Sequence, residues 1–420
     1  MASTIQVDNI KDIGGNTMIS SNGSGTFTSN LPTVAPNVST ATGTLPIANG
    51  GTGAATLAAA GLQRPNVNPL IINGDMSVAQ RATSVTGITS SSYPTCDRVD
   101  FTMAASSGTW TAIQETLTSG DAWEEGFPTA FRVDCTTAVA VPTTTGYVAM
   151  AYAFEGKDLQ LLKWGSSNAE PLTMSFWVKS NKTGDYQVTF EDFIMDAKIC
   201  AGVYTISVAD TWEKKIINIP GSTVNSIFNT NSLGVRVNFY LAAGTAYTSG
   251  TVPTVWTGTN NPDRAAGQTV QLWDNTANDW AITGIQLEVG TYTSATIPSF
   301  QYESYGDSLS RCYRYYYKQR DPGYFGVGNI DGSNDAQILT FFPTTLRNNP
   351  GSLETNGTAT DYLIRTTSNH TCTAVPTLSS SGVTQSMTIF KKTSHGITNG
   401  AAAFGRSDSS SAYLAWDVEL

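Results

Sequence analysis

The sequence predicts an all-β protein with an extended N-terminal stalk, an antiparallel jelly-roll β-sandwich and a smaller C-terminal β unit. Three observations carry that expectation. Apolar and polar residues alternate with the period of two that half-buried strands show. The alternation runs through TMSFWVKS (173–180), YQVTFEDF (186–193), KKIINIP (214–220), LGVRVNFYLA (233–242), TVQLWDN (269–275) and AITGIQLEV (281–289). Clusters of Gly, Asn and Pro punctuate these runs, as turns between strands require. Helical periodicity is nearly absent, with 155–164 the best short candidate.

Composition narrows the setting. At 420 residues the chain is long enough for two or three folded units, and 40% hydrophobic residues suffice for real cores. Only 13% of residues are charged, well below the usual share, and Thr, Ser, Asn and Gly take their place. The net charge of −10 repels phosphate backbones and anionic bilayers, which argues against nucleic-acid partners and membrane binding. Cys96, Cys135, Cys200, Cys312 and Cys372 are widely spaced, without a C-x-x-C pair, and read as buried free thiols. The start MASTIQVDNIKD has neither the basic residues nor the apolar run of a signal peptide, and no stretch is long enough to insert in a membrane.

Taken in order, residues 1–65 hold only short apolar beads such as Ile5, Val7 and Ile10 between Gly, Asn, Ser and Pro. Such a segment buries too little to offset the ordering of its backbone, so either it is disordered or identical copies complete it. TLPIANGGTGAATLAAAGL (44–62) favours the second reading: Gly50, Gly51 and Gly53 permit close chain approach, and the Ala-rich end suits a short helix. Residues 66–305 form the sandwich, with the polar stretch 244–268 at its rim. Residues 306–420 begin with GDSLSRCYRYYYKQ, a short helix turning into a strand, followed by strand patterns at AQILTFF, DYLIRTT, SMTIFKK and AYLAWDVEL.

Several strings carry a resemblance. IINGDMSVAQR (71–81) with Asp97-Arg98, and Gln286-Leu287-Glu288 ahead of the tyrosine-rich run, resemble the opening and closing strands of a module common in bacteriophage tail fibres, itself similar to carbohydrate-binding jelly rolls. The 44–62 string resembles a hallmark of trimeric phage fibres, and FFPTTLRNNPG (341–351) with the terminal AYLAWDVEL resembles fibre tips. Leu346 stands where that pattern leads one to expect Met. The resemblance implies a homotrimeric tail-fibre or receptor-binding appendage located in the virion. Its N-terminal region would attach to a tail or baseplate protein, and its C-terminal tip would touch bacterial surface polysaccharide or lipopolysaccharide. The implied role is adhesion, not enzymatic. A connector or decoration protein without receptor binding, and a capsule or glycan depolymerase, are the rival readings.

The residues themselves offer little catalytic chemistry. His370 and His395 sit in turn-like contexts, and neither G-x-S-x-G nor H-E-x-x-H occurs. Paired carboxylates for glycan cleavage would come from Glu115, Asp121, Glu124, Glu125, Glu191, Asp192 or Asp196. Sugar binding calls instead for aromatic faces beside polar groups. Trp123, Trp164 and Trp256 in the middle unit, and Tyr324, Phe325 and Trp416 in the last, are the candidates, with core or trimer-interface packing as the competing reading for each. Trp177, Trp273 and Trp280 lie in alternating strands and are expected in the core. Tyr313, Tyr315, Tyr316 and Tyr317 are expected to pack between the two heads or around a threefold axis. No cofactor is expected. The resemblance leaves calcium as a weak option at Asp75 and Glu288, the former also suited to capping a turn or pairing with Arg81 or Arg98.

Overall fold

The computed structural model describes residues 9–21, 27–29, 68–105, 107–193, 196–320, 323–332, 335–393 and 396–420. The chain separates into two compact units, residues 1–63 and 64–420. In the first, β1 (Asn9–Lys11), β2 (Thr17–Ser21) and β3 (Phe27–Ser29) form an antiparallel sheet in that order. The first hairpin closes on Asp12, whose carboxylate accepts from the Asn16 backbone N–H at 2.8 Å and from its side-chain amide at 3.0 Å. The glycine string at 44–62, its expected helix, and His395 lie outside the described residues.

The second unit starts as a sandwich. Its strands are β4 (Ser84–Ile88), β5 (Asp100–Ala104), β6 (Thr109–Thr116), β7 (Thr129–Thr137), β8 (Tyr147–Glu155) and β9 (Leu172–Ser180). They continue as β10 (Gly184–Asp192), β11 (Lys198–Ile206), β12 (Glu213–Ile219), β13 (Leu233–Ala243), β14 (Thr257–Gly258) and β15 (Asp279–Val289). One sheet runs β14-β11-β10-β13-β8-β5 and the other β12-β9-β15-β7-β6-β4, all pairs antiparallel. The chain crosses repeatedly between them, the jelly-roll connectivity expected of this strand count. The inward rows interdigitate: Phe176 meets Tyr204 and Phe239 edge-on, and Phe101 meets Trp110 at 5.7 Å. Trp273 and Trp280 are buried here, while Trp177 is only half-buried.

One local expectation is corrected, and the short helix candidate is found in a tighter form. TVQLWDN does not join a sheet: Leu272–Asp274 make a tight helical turn, because the Asn278 amide donates to Leu272 O and to the Asp274 carboxylate. The 155–164 helix is a 3-10 turn, Gly156–Leu162. β15 bulges between Thr283 and Gln286, where Gly284 takes φ +60° and any Cβ would strike the Phe127 ring at 2.6 Å.

The C-terminal part packs with the sandwich as one compact unit. A helix, Tyr305–Cys312, is capped by Ser304, whose hydroxyl accepts from the Asp307 N–H. Then come β16 (Tyr316–Arg320), β17 (Tyr324–Asp331), β18 (Asp335–Phe341), β19 (Glu354–Thr355) and β20 (Tyr362–Arg365). β21 (Asn369–Thr371), β22 (Ala374–Ser381), β23 (Gln385–Lys391), β24 (Ala402–Ser407) and β25 (Tyr413–Asp417) complete it. A sheet ordered β16-β25-β19 faces a seven-stranded one ordered β21-β20-β24-β17-β18-β23-β22. Phe325, Ile338, Tyr362, Phe390, Leu414 and Trp416 form the core between them. Leu346 is buried in that same core, so the departure from Met keeps an apolar side chain where one is needed.

IINGDMSVAQR, Asp97-Arg98, Arg347 and the C-terminal residues build the joint between sandwich and tip. In IINGDMSVAQR, Asn73 (φ +60°) donates to Val78 O and Asp97 O and accepts from the Val78 N–H. Gly74 passes so close to β15 that a Cβ would lie 2.3 Å from Ile285 O. The buried Arg98 lies 3.5 Å over the Tyr315 ring, donates to Ala153 O at 2.6 Å and pairs with Glu419. Arg81 stacks on Tyr316 at 3.6 Å and pairs with Asp417 at 2.8 Å. Arg347 donates to Val418 O, Glu419 O and Asn231 O. Tyr315 and Tyr316 therefore pack where the two halves meet, one of the two places expected for that cluster.

Candidate functional site

The outer face of the seven-stranded sheet holds an exposed aromatic pair with polar groups around it. A bulge in β17 between Tyr324 and Gly326 turns Phe325 into the core and leaves Tyr324 outside. On the neighbouring β24, Ala402, Phe404 and Arg406 point outward while Ala403, Gly405 and Ser407 are buried. Gly405 is required, since a Cβ there would sit 2.8 Å from the Phe390 ring beneath it. Register places Arg406 opposite Tyr324 and Phe404 opposite Val327. The Tyr324 ring, 56% exposed, meets the Phe404 ring, 40% exposed, edge-on at 5.3 Å, and the Arg406 guanidinium lies 5.9 Å from the Tyr324 centroid.

Hollows lie on both sides of the pair. One, of about 370 Å³, is lined by Tyr324, Arg406, Asp408, Ser409 and Ser410. Its loop is held by Ser411, which donates to the Asp361 carboxylate at 2.7 Å, and by the Asp408 N–H, which donates to Asp361 O. The other, about 590 Å³, runs from Phe404 to Thr366, Ser368, His370 and Ile397. The His370 ring nitrogen is 3.1 Å from the Ser368 hydroxyl and 3.3 Å from that of Thr366. Chemically this is an aromatic ridge between two banks of hydroxyls with one guanidinium and one exposed carboxylate. A sugar ring can lay C–H groups on such a ridge while its hydroxyls bond to the banks.

The other candidates divide clearly. Trp164, Phe325 and Trp416, expected on exposed loops, are buried and cannot touch a ligand. Trp164 packs edge-on against Trp256 at 4.8 Å and donates to Glu170 O. Trp416 is stacked on Tyr317 at 5.7 Å with Phe342 across its face at 5.1 Å. Phe325 packs near Tyr362 and Phe390. Phe325 and Trp416 lie on β17 and β25 with their rings turned into the core, and Trp164 is covered by the loop that carries Trp256. Trp256 is half-buried, its indole N–H donating to Pro220 O at 2.7 Å. Trp123, on the one-turn helix Asp121–Glu124, is 48% exposed among Asp121, Glu124 and Glu125. The sequence reading missed Phe404, Arg406 and Asp408. AAFGRSDSSS alternates like a strand ending in a polar loop, but its pairing with Tyr324 spans eighty residues and leaves no local trace.

The sandwich carries a second polar surface on the outer side of its β14-to-β5 sheet. Asp100 pairs with Arg236 there and Glu191 lies 3.3 Å from Arg264, beside the buried Ala149, Ala151 and Ala153 of β8. Tyr147 contacts Tyr240 and Tyr247 at its edge. Burial pushes the Asp100 carboxyl up to about 6 despite Arg236, and raises Glu191 as well. Of the other carboxylates considered for glycan cleavage, Glu115 faces Arg132 at 3.4 Å, Asp192 accepts from the Lys198 N–H, and Asp196 pairs with Lys198.

Asp75 and Glu288, the two calcium candidates, each bond within the protein. Asp75 closes its own turn by accepting from the Ser77 N–H and hydroxyl, without pairing to Arg81 or Arg98, and the buried Glu288 accepts from the Gln286 amide at 2.8 Å. Calcium needs six or more oxygens, and among the described residues no three His, Cys, Asp or Glu gather for a metal. All five cysteines are buried and free.

No family model matches the chain, and no curated protein matches it. Solved structures to which it is similar include the enzymatically active domain of tailspike protein 4 of bacteriophage CBA120, at 11% identity and TM-score 0.25 over 53% of this chain. That match spans only 21% of the tailspike chain. The family 11 carbohydrate-binding module of a Clostridium thermocellum cellulosomal cellulase matches at 13% identity and TM-score 0.24, covering 55% of this chain and 99% of the module. TmCBM61 in complex with β-1,4-galactotriose matches at 7% identity and TM-score 0.24, covering 53% and 99%.

Proposed function

We propose that this chain is a non-catalytic adhesin, the head of a bacteriophage tail fibre that binds bacterial surface polysaccharide or lipopolysaccharide through its C-terminal unit. The observation that carries the reading is the Tyr324–Phe404 ridge, exposed, rigidly based on two paired strands and bordered by Arg406, Asp408 and serine hydroxyls. One such ridge supplies roughly 4–5 kcal/mol, a millimolar-range affinity. A homotrimer multiplies that through effective concentration, and the N-terminal region would join the fibre to a tail or baseplate protein of the virion. Weak single contacts also let the particle release and search before it commits.

Binding of the purified full chain to host cells and to their extracted polysaccharide tests the proposal. Y324A/F404A is expected to fold normally, since both rings are exposed, and to lose adhesion at least tenfold. Undiminished adhesion would refute the tip assignment. Release of new reducing ends from the polysaccharide would replace the adhesin reading with a depolymerase.

A further inference from the structure

A third hollow, about 550 Å³, lies where the sandwich meets the tip, on different residues from the ridge. One wall is a helix face: Tyr305, Leu309 and Tyr313 follow at four-residue spacing, with Tyr305 largely exposed. The opposite rim carries the exposed Thr83 and Ser84. Two cations from β16, Lys318 and Arg320, enter the hollow.

Lys318 is half-buried there and Arg320 is exposed. The chain carries a net charge of −10, and most of its described buried or half-buried arginines sit beside a carboxylate. Lys318 and Arg320 have no carboxylate within ion-pair distance among the described residues. Lys318 donates to Arg81 O at 3.1 Å and lies 3.8 Å over the Tyr413 ring. Arg320 donates to Gln80 O at 3.0 Å and Arg81 O at 3.2 Å through a single nitrogen, and its other nitrogens make no hydrogen bond among the described residues. Burial, and next the charge of Arg320, pull the Lys318 ammonium down to about 8. An anion in the hollow would relieve that crowding, and a guanidinium fork suits a carboxylate or phosphate.

We propose that this hollow binds a hexose bearing an anionic group, a uronate carboxylate or a sugar phosphate. Arg320 and Lys318 hold the anion, Tyr305 stacks on the ring, and Thr83 and Ser84 bond its hydroxyls. The site stands independently of the Tyr324 ridge.

Titration of the full chain with glucuronate, glucose 6-phosphate, glucose and inorganic phosphate, followed by NMR, tests this. At least one sugar anion is expected to bind in the millimolar range, with glucose at least tenfold weaker. R320Q, at an exposed position, should weaken that binding about fivefold and K318Q/R320Q at least tenfold. Y305A should weaken the sugar anion and leave inorganic phosphate unchanged, while Y324A should leave both unchanged. Equal binding of glucose, no binding of either sugar anion, or full affinity in R320Q would overturn the proposal. So would a loss in Y324A, which moves the ligand to the ridge, or inorganic phosphate binding as tightly as the sugar anions, which reduces the hollow to a simple anion site.

Discussion

Replacing Glu419 with Ala should loosen the tip from the sandwich. Glu419 is 3% exposed and Arg98 1% exposed in their ion pair. Its second oxygen lies 3.6 Å from Arg81. Truncation leaves the Arg98 guanidinium buried with only Ala153 O and the faces of Tyr315 and Tyr152 for company. Breaking one side of a buried pair costs about 3–5 kcal/mol, whereas replacing both partners by apolar groups is often near neutral. E419A is therefore expected to lose about 3–5 kcal/mol, roughly a hundredfold or more in the docked equilibrium, and R98M/E419L to recover most of it. D417A should lose under ~1 kcal/mol, since the Asp417 side chain is a third exposed and its pair with Arg81 is partly solvated. Urea unfolding followed by near-ultraviolet circular dichroism, together with limited proteolysis at the sandwich–tip joint, reads these changes. An E419A midpoint equal to that of the parent would refute the reasoning, as would R98M/E419L proving weaker than E419A.

Further outcomes follow from burial. Burial pushes the Asp97 carboxyl up to about 6, against 3.8 for the free group, although Arg81 and Gln80 oppose it. The folded protein then binds more protons than the unfolded chain between about pH 4 and 6, so this group makes stability fall as pH rises through that window. D97N should flatten the slope, measured as melting temperature against pH, and an unchanged slope would dismiss the assignment. W416A should cost about 3–5 kcal/mol, and W123A within about 0.5 kcal/mol, by chemical denaturation. Burial raises the thiols, Cys372 and Cys200 to about 12 and Cys135 to about 11. A thiol reagent should therefore label none of the five cysteines in the native protein and all five in denaturant; labelling of the folded chain would contradict their burial.

Strand patterning made the fold class legible because alternation is a local property: AITGIQLEV became β15 and SMTIFKK became β23. It failed at TVQLWDN, where an asparagine side chain captured the backbone that alternation had assigned to a sheet. Burial of single aromatics was the least legible feature. Nothing next to Trp164 in the chain announces that Trp256, ninety residues on, packs against it, and the partners of Trp416 come from β16 and the segment after β18. Tyr324 was visible as a ring beside a turn, but its ridge needed β24 at its side. The IINGDMSVAQR and Asp97-Arg98 strings stood out for a structural reason: they hold positive-φ turns and buried arginines that lock the tip to the sandwich.

The most direct test is a crystal structure of the full chain with a saccharide retained from host polysaccharide. A sugar ring is expected to lie over Tyr324 and Phe404 with hydroxyls toward Arg406, Asp408 and Ser409. A saccharide seated elsewhere, on the Asp100–Arg236 side of the sandwich for example, with the ridge bare, would contradict the account.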